Sequence, residues 1–124
     1  MFFLKRHVLA AAIALALFSP TGAMAGYVSG WDLLELCKAS PASPVYRLQV
    51  SQCIGYVVGV SDTFDCSSKL HGFTWSSTAP VSQSDLVKVT IAWLNGHPGL
   101  LGRKSDGLVA AALAEAYPCR VASQ

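Results

Sequence analysis

The sequence predicts a small all-α domain, a four-helix bundle stapled by two disulfides. Three observations point there. Four segments behind an N-terminal leader carry helix start signals, apolar stripes or stop signals, with short connections between them. Four cysteines, an even number, lie in the same part of the chain. The chain is also long enough for one modest core and too short for two.

The leader is residues 1–25, MFFLKRHVLAAAIALALFSPTGAMA. Lys5 and Arg6 precede an apolar run from Val8 to Phe18, and Ala23-Met24-Ala25 supplies small residues. That is the layout of a signal peptide cleaved after Ala25. The run falls short of the ~20 apolar residues a spanning helix needs, so no membrane attachment is expected after cleavage. Residues 26–124 are then the folded domain. Of the chain's nine lysines and arginines two belong to the leader, and the rest match its seven acidic residues. A balanced surface gives no footprint for nucleic acid or an anionic membrane.

The first helix is expected from about Trp31 to Lys38, where Trp31, Leu34 and Cys37 recur at intervals of three with Leu33 and Leu36 beside them. The cluster SPASP, residues 40–44, ends it. Ser43 before Pro44 suits the start of a second helix, since serine caps free N–H groups and proline lacks one. That helix is expected to reach Phe64, with Val50, Ile54, Val57, Ser61 and Phe64 on one face. Its β-branched content also suits a strand, but about twenty residues without a turn signal exceed a usual strand.

A polar loop, SSKLHGFTWSSTAPVS, follows Cys66. Ser82 with Asp85 three residues on resembles a capping arrangement for a third helix, Ser84 to Leu94. Its Leu86, Val87, Thr90, Ile91, Trp93 and Leu94 form a wide apolar stripe. Asn95-Gly96-His97-Pro98-Gly99 stops it. A fourth helix, about Ser105 to Tyr117, carries Leu108, Val109, Ala112, Leu113, Ala116 and Tyr117 and is closed by Pro118.

The cysteines are Cys37, Cys53, Cys66 and Cys119. Their wide spacing lacks the C-x2-4-C pairs of a zinc site, so no metal is expected. In an exported chain an even count reads as two disulfides. Cys53 and Cys66 on one helix would stand ~20 Å apart, beyond the ~7 Å a disulfide spans between Cα atoms. With short connections and helices alternating up and down, Cys37 falls beside Cys53 and Cys66 beside Cys119.

No HExxH, GxSxG or Gly-rich phosphate loop is present, so neither an enzyme nor a cofactor is expected. His71 and His97 read as loop or capping residues, and Asp62 and Asp65 as solvated groups near a helix end. Gly55 and Gly59 form a GxxxG, read as a close helix contact inside the soluble core that offsets a helix cost of ~1 kcal/mol each. Phe73 and Trp75, with His71 beside them in the polar loop, are the candidate partner-binding residues. Their other reading is that the aromatic rings fold back over the core.

One family resemblance covers nearly the whole domain. Cys53-Ile54-Gly55-Tyr56-Val57-Val58-Gly59-Val60-Ser61-Asp62, then a cysteine, VSQSDLVKV, WLNGHPGLL and LVAAALAEAYPC follow one another in order from about Trp31 to Cys119. The series resembles the Rap1a/Tai family of type VI secretion immunity proteins. The resemblance implies a periplasmic, non-enzymatic, often dimeric inhibitor that binds a cognate peptidoglycan amidase toxin and blocks its cleft. The stretch after Cys66 departs from the family's usual proline-containing connection, a place where partner specificity is expected. The competing function is a periplasmic acid-stress, chaperone-like helical protein, which requires apolar surface exposed by low pH.

Overall fold

The structure, a computed structural model, describes residues 26–120; the leader and its cleavage point lie outside the described residues. Four α-helices follow one another: α1 Gly30–Cys37, α2 Tyr46–Ser61, α3 Gln83–Gly96 and α4 Ser105–Ala116, with a 3-10 turn at Pro98–Leu100. Each helix packs against the other three, so a single core forms with the four-helix arrangement that the sequence predicts. No helix among the described residues is long and apolar enough to cross a membrane.

The start of α1 shows how local and distant bonds combine. Ser29 and Asp32 form a capping box: the Ser29 hydroxyl accepts from the Asp32 N–H, and the Asp32 carboxylate accepts from the Ser29 N–H at 2.8 Å. The Gly30 and Trp31 N–H groups, which have no partner within the helix, donate to the carbonyls of Arg103 and Leu101, both at 3.0 Å. In return Ser105 donates its N–H to the Val28 carbonyl and its buried hydroxyl to that of Ser29. This clamp turns Gly30 inward, so the buried face of α1 is Gly30 and Leu33, flanked by Leu34 and Cys37. Trp31 is displaced to solvent, 58% exposed, although its spacing with Leu34 and Cys37 suggested a shared stripe.

Helix α2 is shorter than the sequence suggested at both ends. It begins at Tyr46, after a turn in which the Ser43 hydroxyl accepts from Val45 and donates to Gln49. Ser43 therefore orders the entry turn instead of capping the helix. The other end stops at Ser61, where the Ser61 and Thr63 hydroxyls take up the carbonyls of Val58 and Val60. Of the predicted face, Val57, Ser61 and Phe64 are buried and Val50 and Ile54 half-buried. Gly55 and Gly59 are exposed, and a Cβ built on either meets no atom within 4 Å. The expected close helix contact at GxxxG is absent among the described residues. Cys53, Val57 and Val60 turn α2's other side to the core, which leaves both glycines on the solvent face.

Helix α3 starts on the expected Ser82–Asp85 capping box and runs two residues past Leu94, with His97 as its C-cap. Its Leu86, Thr90 and Leu94 are buried, and the Thr90 hydroxyl is satisfied by the Leu86 carbonyl at 2.8 Å. Helix α4 buries Leu108, Val109, Ala112 and Leu113 as predicted, and Ala110 besides. No buried side-chain nitrogen or oxygen among the described residues lacks a hydrogen-bond partner.

Both disulfides join the expected partners. Cys37 pairs with Cys53 with Cα atoms 5.0 Å apart, and Cys66 with Cys119 at 5.7 Å. The first ties the end of α1 to the middle of α2, and the second ties the loop after α2 to the chain after α4.

Candidate functional site

The segment between α2 and α3 is the longest connection and carries the three residues singled out for partner binding. It is built in three layers. Nearest α2, Asp65 folds the chain on itself: its carboxylate accepts from the N–H and hydroxyl of Ser67, both at 2.7 Å, and from the N–H of Ser68 at 2.8 Å. These bonds hold its carboxyl below the ordinary carboxylate value of 3.8. The adjoining Cys66 is fixed to Cys119.

The middle layer is Trp75, 5% exposed. Its indole N–H donates to the carbonyls of Phe64 at 2.7 Å and Ser61 at 3.2 Å. It thus serves carbonyls around the C-terminus of α2, where helices leave acceptors without intrahelical partners. Its ring lies between Phe64 and Tyr117, with centroids 6.2 and 6.3 Å away in tilted arrangements. The Ser76 N–H donates to the Tyr117 carbonyl at 2.8 Å, adding a backbone link to the end of α4. As an exposed binding anchor Trp75 is therefore corrected: its amphipathic ring is consumed by the root of the loop.

The outer layer is the tip. Leu70 and Phe73 exchange both backbone hydrogen bonds, at 3.0 and 2.9 Å, around a two-residue turn. His71 and Gly72 have φ of 50° and 83°, the left-handed pair that a tight hairpin turn of this hand requires. Glycine adopts this region freely, whereas a residue with a side chain does so uncommonly, histidine more readily than most, and gains from external support. His71 has it: its Nε2–H donates to the Asp106 carboxylate at 2.8 Å, in the first turn of α4. The other Asp106 oxygen accepts from the Gly107 N–H at 2.9 Å. Asp106 is accordingly held below the usual carboxylate range, by the His71 bond first and then the Gly107 N–H and the nearby positive charges, against the opposing effect of partial burial. The negative charge of Asp106 also reaches Tyr56, whose hydroxyl is pushed up chiefly by burial and further by this carboxylate.

The result is a rigid tip presenting Phe73, 38% exposed, beside a half-exposed His71. The three candidate residues thus divide into two at the tip and one at the root. Asp106, the residue that positions the tip, was not singled out from the sequence. It lies 35 residues from His71, and no local pattern connects them. The pair tethers the loop tip to the first turn of α4. No group of three or more histidine, cysteine, aspartate or glutamate side chains gathers there in a metal-holding arrangement.

The family model of the Rap1a immunity proteins matches residues 29–119, from the N-cap of α1 to the last disulfide cysteine. The chain belongs to the Rap1a immunity protein family. No individual curated protein matches it. In this Rap1a family member the disulfides tie α1 to α2 and the loop after α2 to the chain after α4, and the His71–Asp106 bond holds the loop tip to the first turn of α4.

Proposed function

We propose that this protein is a periplasmic immunity protein of the type VI secretion system. It acts by stoichiometric binding, without catalysis, to inhibit a cognate peptidoglycan amidase toxin. The family match supports inhibition of a toxin as the function, and the observation that carries the binding surface is the His71–Gly72–Phe73 tip. A ring exposed on a turn that is already braced loses little conformational freedom on docking, which favours affinity. Aromatic side chains also dominate the energetics of protein interfaces. Export rests on the leader at residues 1–25, with cleavage after Ala25 leaving the domain free in the periplasm.

A homodimer belongs to the same proposal. Gly55 and Gly59 sit mid-helix on an open face, where no atom of the described residues comes within 4 Å of an added Cβ. A second copy of α2 is the occupant for which two glycines one turn apart leave room.

The test is inhibition of purified peptidoglycan amidases by the mature protein, with complex mass measured by native mass spectrometry. A cognate enzyme should be silenced at a fixed molar ratio, and Phe73→Ala should weaken the complex by tenfold or more, roughly 1.4 kcal/mol, without loss of helical content. Absence of binding and inhibition across such enzymes, including any encoded beside this gene, would refute the reading. Full-length protein recovered from the cytoplasmic fraction with residues 1–25 intact would refute its location.

A further inference from the structure

A second surface lies away from the loop tip, in the groove between α3 and α4. Trp93 and His97 come from α3 and its C-cap, and Ala112, Glu115 and Ala116 from α4 at spacings that share one helical face. The groove encloses about 370 Å³. Asp106 and Glu115 are nine positions apart on α4, which at 100° per residue places them on opposite sides of that helix. This groove is therefore separate from the tip that His71 and Asp106 form.

Its polar groups are held in one chemical sense. The Trp93 indole N–H donates to Glu115 Oε2 at 2.9 Å, which fixes the carboxylate over the groove and leaves Oε1 as an acceptor. His97 Nδ1 lies 2.7 Å from the Trp93 carbonyl. A carbonyl only accepts, so Nδ1 carries a proton, and in the tautomer this bond selects Nε2 is the nitrogen with the free lone pair, a second acceptor. The imidazole stacks on the indole with centroids 3.8 Å apart and planes 16° from parallel, which locks both rings. No lysine or arginine forms a salt bridge with Glu115 among the described residues. The alanine methyls of 92, 112 and 116 and the Val89 side chain line the rest.

We infer that this groove receives a lysine or arginine side chain of a protein partner, its aliphatic stem along the alanines and its cationic head on Glu115 and His97. The inference rests on reading the protein as a binding module, and it adds a second contact to the one at the tip. An ordered carboxylate and a ring acceptor beside an indole, with no lysine or arginine paired to Glu115 among the described residues, complement a cationic head. The apolar lining suits the methylene stem that such side chains bury, and a charge-assisted contact to a pre-ordered carboxylate is stronger than a neutral one.

The probe is a pentapeptide with one lysine between glycine pairs, capped at both ends, titrated into the mature protein while the Trp93 indole N–H resonance is followed by NMR. A norleucine peptide of the same length is the comparison. The lysine peptide should shift the resonance saturably and the norleucine peptide should not. Glu115→Gln keeps an acceptor for the indole but removes the charge, and should weaken the lysine peptide by roughly five- to tenfold. Phe73→Ala should leave this response unchanged, so the groove is tested whether or not the tip binds a toxin. Absence of a saturable shift, or an equal response to norleucine, would overturn the inference. So would a dimer in the native mass spectrum that Ala116→Arg disperses, since the occupant would then be a second copy of the chain.

Discussion

Gly30→Ala is the most demanding test of how the scaffold is closed. An ideal Cβ at this position would stand 2.6 Å from Leu108 Cδ1, 2.8 Å from Leu101 Cα and 2.9 Å from the Leu101 carbonyl oxygen. The Leu108 methyl can rotate away, but the Leu101 atoms are backbone. Restoring an ordinary contact of ~3.5 Å requires the 101–105 segment to retreat by roughly 0.7 Å. That segment is held to the start of α1 by three backbone hydrogen bonds, from Gly30 to Arg103, Trp31 to Leu101 and Ser105 to Val28, at 2.9 to 3.0 Å. Overpacking of this kind costs ~1–3 kcal/mol, and weakening even one of the bonds adds ~0.5–1.5 kcal/mol. The better helix propensity of alanine returns at most ~1 kcal/mol. The net expectation is a loss of about 2 kcal/mol, or roughly 8–16 °C in Tm for a domain of this size. Urea unfolding followed by helical circular dichroism, with both disulfides intact, measures it. A variant as stable as the parent would show that the clamp yields freely and would refute the close approach.

The opposite sign is expected one helix later. Gly55→Ala and Gly59→Ala should each raise the stability of the isolated chain by ~0.5–1 kcal/mol, because nothing stands within 4 Å of the added carbon; if they instead disperse a dimer, the second copy of α2 is located. Opening the Cys66–Cys119 disulfide, which closes a separation of 53 residues, should cost ~4 kcal/mol, and opening Cys37–Cys53, with 16, ~3 kcal/mol; unfolding of the paired Cys→Ser variants checks the order. Asp106 is held below its ordinary 3.8, so its carboxylate contributes stability above that pH, and the contribution is lost as pH falls through the lower folded-state value. Asp106→Asn should therefore be less stable than the parent near neutrality, with the gap closing in strong acid. Equal urea midpoints at neutral pH would show that the tether contributes nothing.

What the sequence determined by itself is the set of features whose causes lie within a few residues. The Ser82–Asp85 capping box falls where expected, the 95–99 stop takes effect two residues later than expected, at His97, and the α4 stripe holds at Leu108, Val109, Ala112 and Leu113 while Ala116 is exposed; all of these are local features. The cysteine pairing was legible for a related reason: the fixed rise of a helix separates Cys53 from Cys66, and helices alternating up and down bring Cys37 beside Cys53 and Cys66 beside Cys119. The Ser29–Asp32 box was equally local and its S-x-x-D spacing was a readable signal, although the prediction for α1 began only at Trp31.

Tertiary structure alone decided which faces meet. GxxxG has the same spacing whether another helix covers it or solvent does, and only the burial of Cys53, Val57 and Val60 turned Gly55 and Gly59 outward. Trp75 and Phe73 are near neighbours in one polar loop; acceptors around the end of α2 drew the first inward, while the His71–Asp106 tether holds the turn that exposes the second. Gly30, inconspicuous in the sequence, is required by the backbone of Leu101, more than seventy positions away. Hydrogen bonds and close approach act through space, so elements distant in sequence settle them only once the chain has folded.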